Sequence, residues 1–229
     1  MRTKSLLCVC LGIASIIFVG CNNTLDEVYY SCNKEADKWA KENIVDIQKM
    51  TRTDWERISD YSYQKAAYNA FTAEQKSTFW IERIEEIMLL DWNEDEINHL
   101  TDLLQFVKNH VSVFENDSDT KEADIYSYKW IDYARNNLNW TDYTIYAVTM
   151  SGYKMIDKSG TLMSQNNLKR TRSRKERECD CSRKFEFCGI GVPLECLPNE
   201  NETRCTITIR GCDWLFLGEC NGICDFETF

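Results

Sequence analysis

The stretch whose reading decides the fold is TAEQKSTFWIERIEEIMLLDWNEDEINHLTDLLQFVKNHV, residues 72–111. It holds two helix starts of one kind: Thr72 stands three residues before Gln75, and Asn93 three before Glu96. In such a capping box the short side chain accepts an amide of the first turn. The longer side chain returns to the amide of the capping residue, so two otherwise orphaned donors are satisfied together. Apolar residues then recur at helical spacing: Phe79, Trp80, Ile84, Ile87 and Met88 after the first box, and Ile97, Leu100, Leu103, Leu104 and Val107 after the second. Acidic residues in each first turn suit the positive end of the helix dipole. The stretch predicts two helices.

The same pattern extends outward. Lys34–Glu42 is rich in helix formers, with Ala36, Trp39 and Ala40 on one face and Asn43 near the end. Thr53 and Glu56 have the spacing of a further capping box, and Tyr63, Ala66, Ala67, Ala70 and Phe71 read as the next helix. Ser118 or Thr120 can start another, carrying Ile125, Tyr128, Trp130, Ile131 and Tyr133. Trp140–Met155 is rich in β-branched and aromatic residues, so helix and strand compete there, and we read it as helix. Two prolines, seven tryptophans and 43% hydrophobic residues suit a folded, mainly helical body.

The chain changes character at its end. Eight of its twelve cysteines, Cys179, Cys181, Cys188, Cys196, Cys205, Cys212, Cys220 and Cys224, fall in the last part of the sequence. So short a segment cannot bury enough apolar surface to hold itself without staples. An even cysteine count there predicts a disulfide framework, with the pairing open. Zinc is the competing reading, but there is no Cys-x-x-Cys pair and no histidine after His110. Between body and tail, Lys169, Arg170, Arg172, Arg174, Lys175 and Arg177 make a basic block without large apolar residues. Such a block is a solvated linker. It is also a candidate cleavage site, because exposed polar segments are where nicking concentrates.

The disulfide reading needs export, and the first residues supply it. MRTKSLLCVCLGIASIIFVGC, residues 1–21, has Arg2 and Lys4, an apolar run, then a small residue and Cys21. That is a signal peptide, to be left out of fold reasoning. Phe18-Val19-Gly20-Cys21 resembles a bacterial lipobox, which implies cleavage before Cys21, lipidation of Cys21 and attachment to the membrane. Cys8 and Cys10 leave with the leader, and Cys32 is either a buried thiol, the favoured reading, or cross-linked into the tail. The formal charge of −10 argues against nucleic acid as a partner.

Little points to catalysis or cofactors. Asp91, Asn93, Asp95 and Asp102 superficially match a calcium loop, but Glu96 stands where that loop needs glycine, and helix capping explains the pattern better. His99 and His110 are eleven apart, on one face if the helix is continuous, with no third ligand nearby. Cys32 with a histidine partner has no local support as a nucleophile, and no phosphate, dinucleotide or Gly-x-Ser-x-Gly motif occurs. No catalytic residue, metal or cofactor is expected. Trp55, Trp80, Trp92, Trp130 and Trp140 read as core rather than as a sugar platform. Trp214-Leu215-Phe216-Leu217 has two readings: the core of the tail itself, or an exposed element that meets a membrane or partner.

Cys179-Asp-Cys181, Cys188, Gly211-Cys212-Asp213-Trp214-Leu215 and Cys220-Asn221-Gly222-Ile223-Cys224 together resemble the bacteriocin fulvocin C-related proteins. Cys32-Asn33-Lys34-Glu35-Ala36, Met50-Thr51-Arg52 and Leu90-Asp91-Trp92 add to the likeness in the body. The resemblance implies an exported bacterial protein with a helical N-terminal part and an antibacterial cysteine-rich end.

The expected architecture is mainly α: a leader (1–20), a tether (21–27), a multi-helix domain (28–165), a basic linker (166–178) and a small disulfide-rich module (179–229). The expected role is a lipid-anchored cell-envelope protein, not an enzyme, whose tail serves interbacterial antagonism. The alternative is a non-toxic structural or interaction lipoprotein. In either case the partners would be the membrane and an unknown protein or target envelope.

Overall fold

The computed structural model describes residues 28–163, 181–182, 196–198 and 209–224. It is mainly helical, with a cysteine-bearing C-terminal part. Among the described residues the helices are α1 (Lys34–Glu42), α2 (Ile44–Ile47), α3 (Arg52–Glu56), α4 (Tyr61–Ala70), α5 (Ala73–Ile87), α6 (Glu94–Asn109), α7 (Lys121–Asn136) and α8 (Asp142–Thr149). A 3-10 turn, Val111–Phe114, follows α6.

α5 and α6 start where their capping boxes predict. Thr72 accepts the Gln75 amide at 3.2 Å and Gln75 returns to Thr72 at 3.1 Å. Asn93 and Glu96 exchange the same pair at 2.9 and 2.8 Å. α3, however, begins two residues before the expected place. Its box is Thr51 with Asp54, not Thr53 with Glu56. Tertiary contacts select that register. They bury Trp55 with its indole N–H on the Gln64 carbonyl at 2.8 Å, and place Arg52 on Glu86 at 2.7 Å. Before α7, Thr120 makes no side-chain cap, and Asp119 accepts the Lys121 amide instead, at 3.0 Å.

α5 is the spine of the core. Phe79, Trp80, Ile84 and Ile87 are buried along it, and Leu100, Leu103 and Val107 of α6 are buried in the same cluster. Each such side chain contributes about 1.5–3 kcal/mol of transfer free energy. Trp55, Trp80, Trp130 and Trp140 are all buried, and Trp92 packs half-buried on Trp140, with ring centroids 5.0 Å apart.

The helix expected over Trp140–Met155 forms only as α8, and the chain continues irregularly to a single bridge between Met155 and Leu162. Two contacts explain the stop. Arg83, fully buried on α5, donates to the carbonyls of Ala147 at 2.9 Å and Ser151 at 3.3 Å, taking up helix-end acceptors. Gly152 then passes so close to the core that a Cβ there would stand 2.6 Å from Phe79 and 2.7 Å from Trp55. Only a residue without a side chain fits that approach.

The tail contributes two short antiparallel pairs. β1 (Cys196–Pro198) pairs with β4 (Gly222–Cys224), and β2 (Arg210–Cys212) pairs with β3 (Gly218–Glu219). Between β2 and β3 lies the kinked turn Trp214–Phe216.

Candidate functional site

Of the cysteines read as a disulfide framework, two pairs are seen bonded: Cys181 with Cys196, and Cys212 with Cys220. Cys179, Cys188 and Cys205 lie outside the described residues, and of Cys224 only the backbone is described. Cys21 and the basic residues Lys169, Arg170, Arg172, Arg174, Lys175 and Arg177 also lie outside them. The first bridge joins Cys181 to β1 at a sequence separation of 15. Cys181 accepts the amides of Asn221 and Gly222 at 3.1 and 3.0 Å, adding a bridge to the β1–β4 pair. The second bridge closes the β2–β3 hairpin around residues 213–219.

That hairpin is where the tail meets the helical body. Trp214, Leu215 and Leu217 belong to the same buried cluster as α4, α5 and α6, and half-buried Phe216 packs against it. The segment is therefore neither the tail's private core nor an exposed element. Phe216 enters a slot between Tyr68 and Trp80, with ring centroids 5.0 and 5.1 Å away and edge-to-face geometry. Trp214 fills a second slot against Phe106 and Tyr126, at 5.5 and 5.7 Å, and those two rings are stacked on each other at 4.0 Å. Edge-to-face pairs of this kind add about 0.5–1.5 kcal/mol each beyond the area they bury. Leu215 is fully buried between them, and its carbonyl accepts the Tyr68 hydroxyl at 3.3 Å.

Holding three neighbouring side chains inward requires unusual backbone. Asp213, Leu215 and Phe216 all have positive φ, at 69°, 49° and 56°. A non-glycine residue in that region costs of order 1–3 kcal/mol and persists only where its surroundings over-determine it. Here the bridge on either side and the two aromatic slots do so. Asp213 also accepts the Trp214 amide at 2.6 Å. Gly211, at φ 117°, needs its freedom, since a Cβ there would approach Asn69 Oδ1 to 2.9 Å.

Three cations line the same seam. Arg210 donates from Nη1 to the Glu115 carbonyl and the Ser118 hydroxyl, both at 2.8 Å. Lys65, buried on α4, points its ammonium at Cys212 Sγ from 3.5 Å. Lys76, buried on α5, donates to Asn116 Oδ1 at 2.9 Å and to the Phe114 carbonyl at 3.4 Å. Burial and the neighbouring Arg210 charge push the Lys76 ammonium down to about 8. Burial pushes the Tyr68 phenol well up, so it stays a neutral donor to Leu215 and acceptor of the Trp80 indole N–H at 2.9 Å. Trp214 Nε1 is buried without a hydrogen-bond partner. Such an orphaned donor costs about 1–3 kcal/mol, which the packing must outweigh.

The other residues singled out in the sequence do not converge. His99 is stacked on Trp130 at 4.2 Å with Nε2 unpartnered, and burial pushes its imidazole down to about 4 despite nearby Asp102. His110 lies past the end of α6 rather than on its face, holding the Phe106 carbonyl through Nδ1 at 2.9 Å and facing Glu122 at 3.5 Å. Asn93 and Glu96 serve the cap. Glu96 also accepts from Trp140 at 3.1 Å and Lys158 at 2.6 Å. Burial raises the Glu96 carboxyl, but those donors and the Asn93 amide together hold it low. Asp102 accepts the Tyr126 hydroxyl at 2.7 Å. Among the described residues no group of three or more His, Cys, Asp or Glu side chains is arranged to hold a metal ion. Cys32 carries a half-buried thiol.

Sequence reasoning missed the slots because nothing local to Trp214–Phe216 says what will cover it. The one available signal was four consecutive apolar residues flanked by glycine and a cysteine on each side. Comparison of the chain with protein-family models, with curated proteins and with solved structures returned no match.

Proposed function

We propose that this chain is an exported, lipid-anchored protein of the bacterial envelope that works as an interaction protein, with its helical body and cysteine-rich tail acting as one unit. The observation that carries this reading is the docked hairpin. Three large apolar side chains of the tail, Trp214, Leu215 and Phe216, are engaged by α4, α5 and α6. A diffusible peptide toxin would need that apolar surface for its target membrane. The leader ending in Cys21 and the bonded cysteines suit an oxidising, extracytoplasmic site.

Antagonism of other bacteria by the tail is the second reading. It is favoured by the resemblance to fulvocin C-related proteins and by the six basic residues of 169–177 as a place to cut. Mass spectrometry of protein extracted from its own membrane, before and after reduction, separates the two. An acylated Cys21 on an uncut chain supports the interaction protein. An oxidised fragment beginning after Arg177, with killing activity of its own, would establish the toxin and sink the first reading.

A further inference from the structure

We infer that the helical body is a non-covalent receptor for its own tail, so that cutting the chain between them leaves the tail bound and masked. The inference rests on the docked arrangement described above, but not on the lipid anchor or on any particular function of the tail.

Both described bridges, Cys181–Cys196 and Cys212–Cys220, lie within the tail, and the contacts described between the body and the hairpin are aromatic packing and hydrogen bonds. The docking surface is built like a binding site. Two aromatic slots receive Phe216 and Trp214, and Tyr68 marks the point between them by donating to the Leu215 carbonyl. At the edge, the Arg210 guanidinium grips Glu115 and Ser118 on the segment after α6. Large aromatic anchors in desolvated pockets beside a polar clamp are the usual composition of an interface hot spot.

The ligand is also pre-organised. Cys212–Cys220 closes the hairpin within the tail, so its turn does not depend on the linker to keep its ends together. A pre-closed loop loses less conformational freedom on binding, which favours affinity. The occupant of the slots is thus the chain's own hairpin, carrying the positive φ values that present Trp214 and Phe216 to the body.

The test uses the full mature chain with a specific protease recognition sequence in place of Lys169–Lys175. After complete cutting, the sample is passed over a size-exclusion column without reductant. The two fragments are expected to co-elute at the position of the uncut chain and to separate only in denaturant. Separation of the tail in native buffer would overturn the inference. Phe216→Ala and Arg210→Ala, cut in the same way, should each release the tail at least tenfold more readily on dilution. Ile125→Ser, at an exposed position on α7, should leave retention unchanged. Should Phe216→Ala fail to fold, Arg210→Ala at the rim still decides the question. Retention of its tail equal to the parent's counts against the site assigned here. Loss of Cys21 acylation would defeat the proposed anchoring without touching this result.

Discussion

Replacing Lys76 by methionine should remove a specific alkaline rise in stability. In the unfolded chain this ammonium keeps its proton to about 10.5, whereas in the folded chain burial beside Arg210 brings it down to about 8. Between those values the unfolded state binds more protons, so stability rises with pH and the penalty is fully present below about pH 8. Integrated from about pH 7.5 to about pH 9.5, the single group yields a gain of about 2 kcal/mol. The full penalty below the window is roughly 3 kcal/mol. Methionine relieves it but loses the hydrogen bonds to Asn116 and Phe114, worth about 1–3 kcal/mol together. At about pH 7.5 the variant should therefore lie within about 2 kcal/mol of the parent, with the pH slope gone. Urea denaturation followed by tryptophan fluorescence measures this. Both proteins would carry Cys32→Ser, because a thiolate at alkaline pH attacks disulfides. Other titrating groups, buried Arg83 among them, are common to both and cancel in the difference. A rise of equal size in the methionine variant, or a flat parental profile, would refute the account of Lys76.

Other positions test the fold and the seam separately. Thr51→Ala should cost about 1 kcal/mol by removing a working cap, while Thr53→Ala should stay within about 0.5 kcal/mol. Equal losses in denaturation would mean the capping register is wrong. The buried His99, held down to about 4, makes stability fall as pH drops from about 6.5 through 4, by on the order of 2 kcal/mol after screening is allowed for. His99→Phe should flatten that acid limb, and an unchanged limb would place the titrating group elsewhere. Gly152→Ala forces a Cβ onto Phe79 and Trp55 and should destabilise by about 1–3 kcal/mol, read as a lower urea midpoint. Leu215→Ala should cost about 2–5 kcal/mol in the same assay if the tail folds with the body. A loss under 0.5 kcal/mol, roughly a surface value, would show that it does not.

The helices of the body were legible because their signals are local. Thr72 with Gln75 and Asn93 with Glu96 lie within one turn of each other, and the apolar spacing behind them needs no distant partner to be read. Two bonded pairs among the tail cysteines were likewise foreseeable in kind from crowding in sequence, though not in pairing. Where two local solutions were nearly equal, contacts from elsewhere chose. Thr51 won over Thr53 because Trp55 and Arg52 had to reach Gln64 and Glu86. α8 stopped at Thr149 because Arg83 and Gly152 met there.

The docking of the tail belongs wholly to the tertiary level. Trp214 and Phe216 stand more than a hundred residues from Phe106, Tyr68 and Trp80, and no periodicity connects them. The sequence by itself offered two fates for the four apolar residues Trp214–Leu217, a core of the tail or a surface for a membrane or partner, because leaving them in water is unfavourable. Only the folded helices decided the cover, since the two slots exist once α4, α5, α6 and α7 bring their rings together.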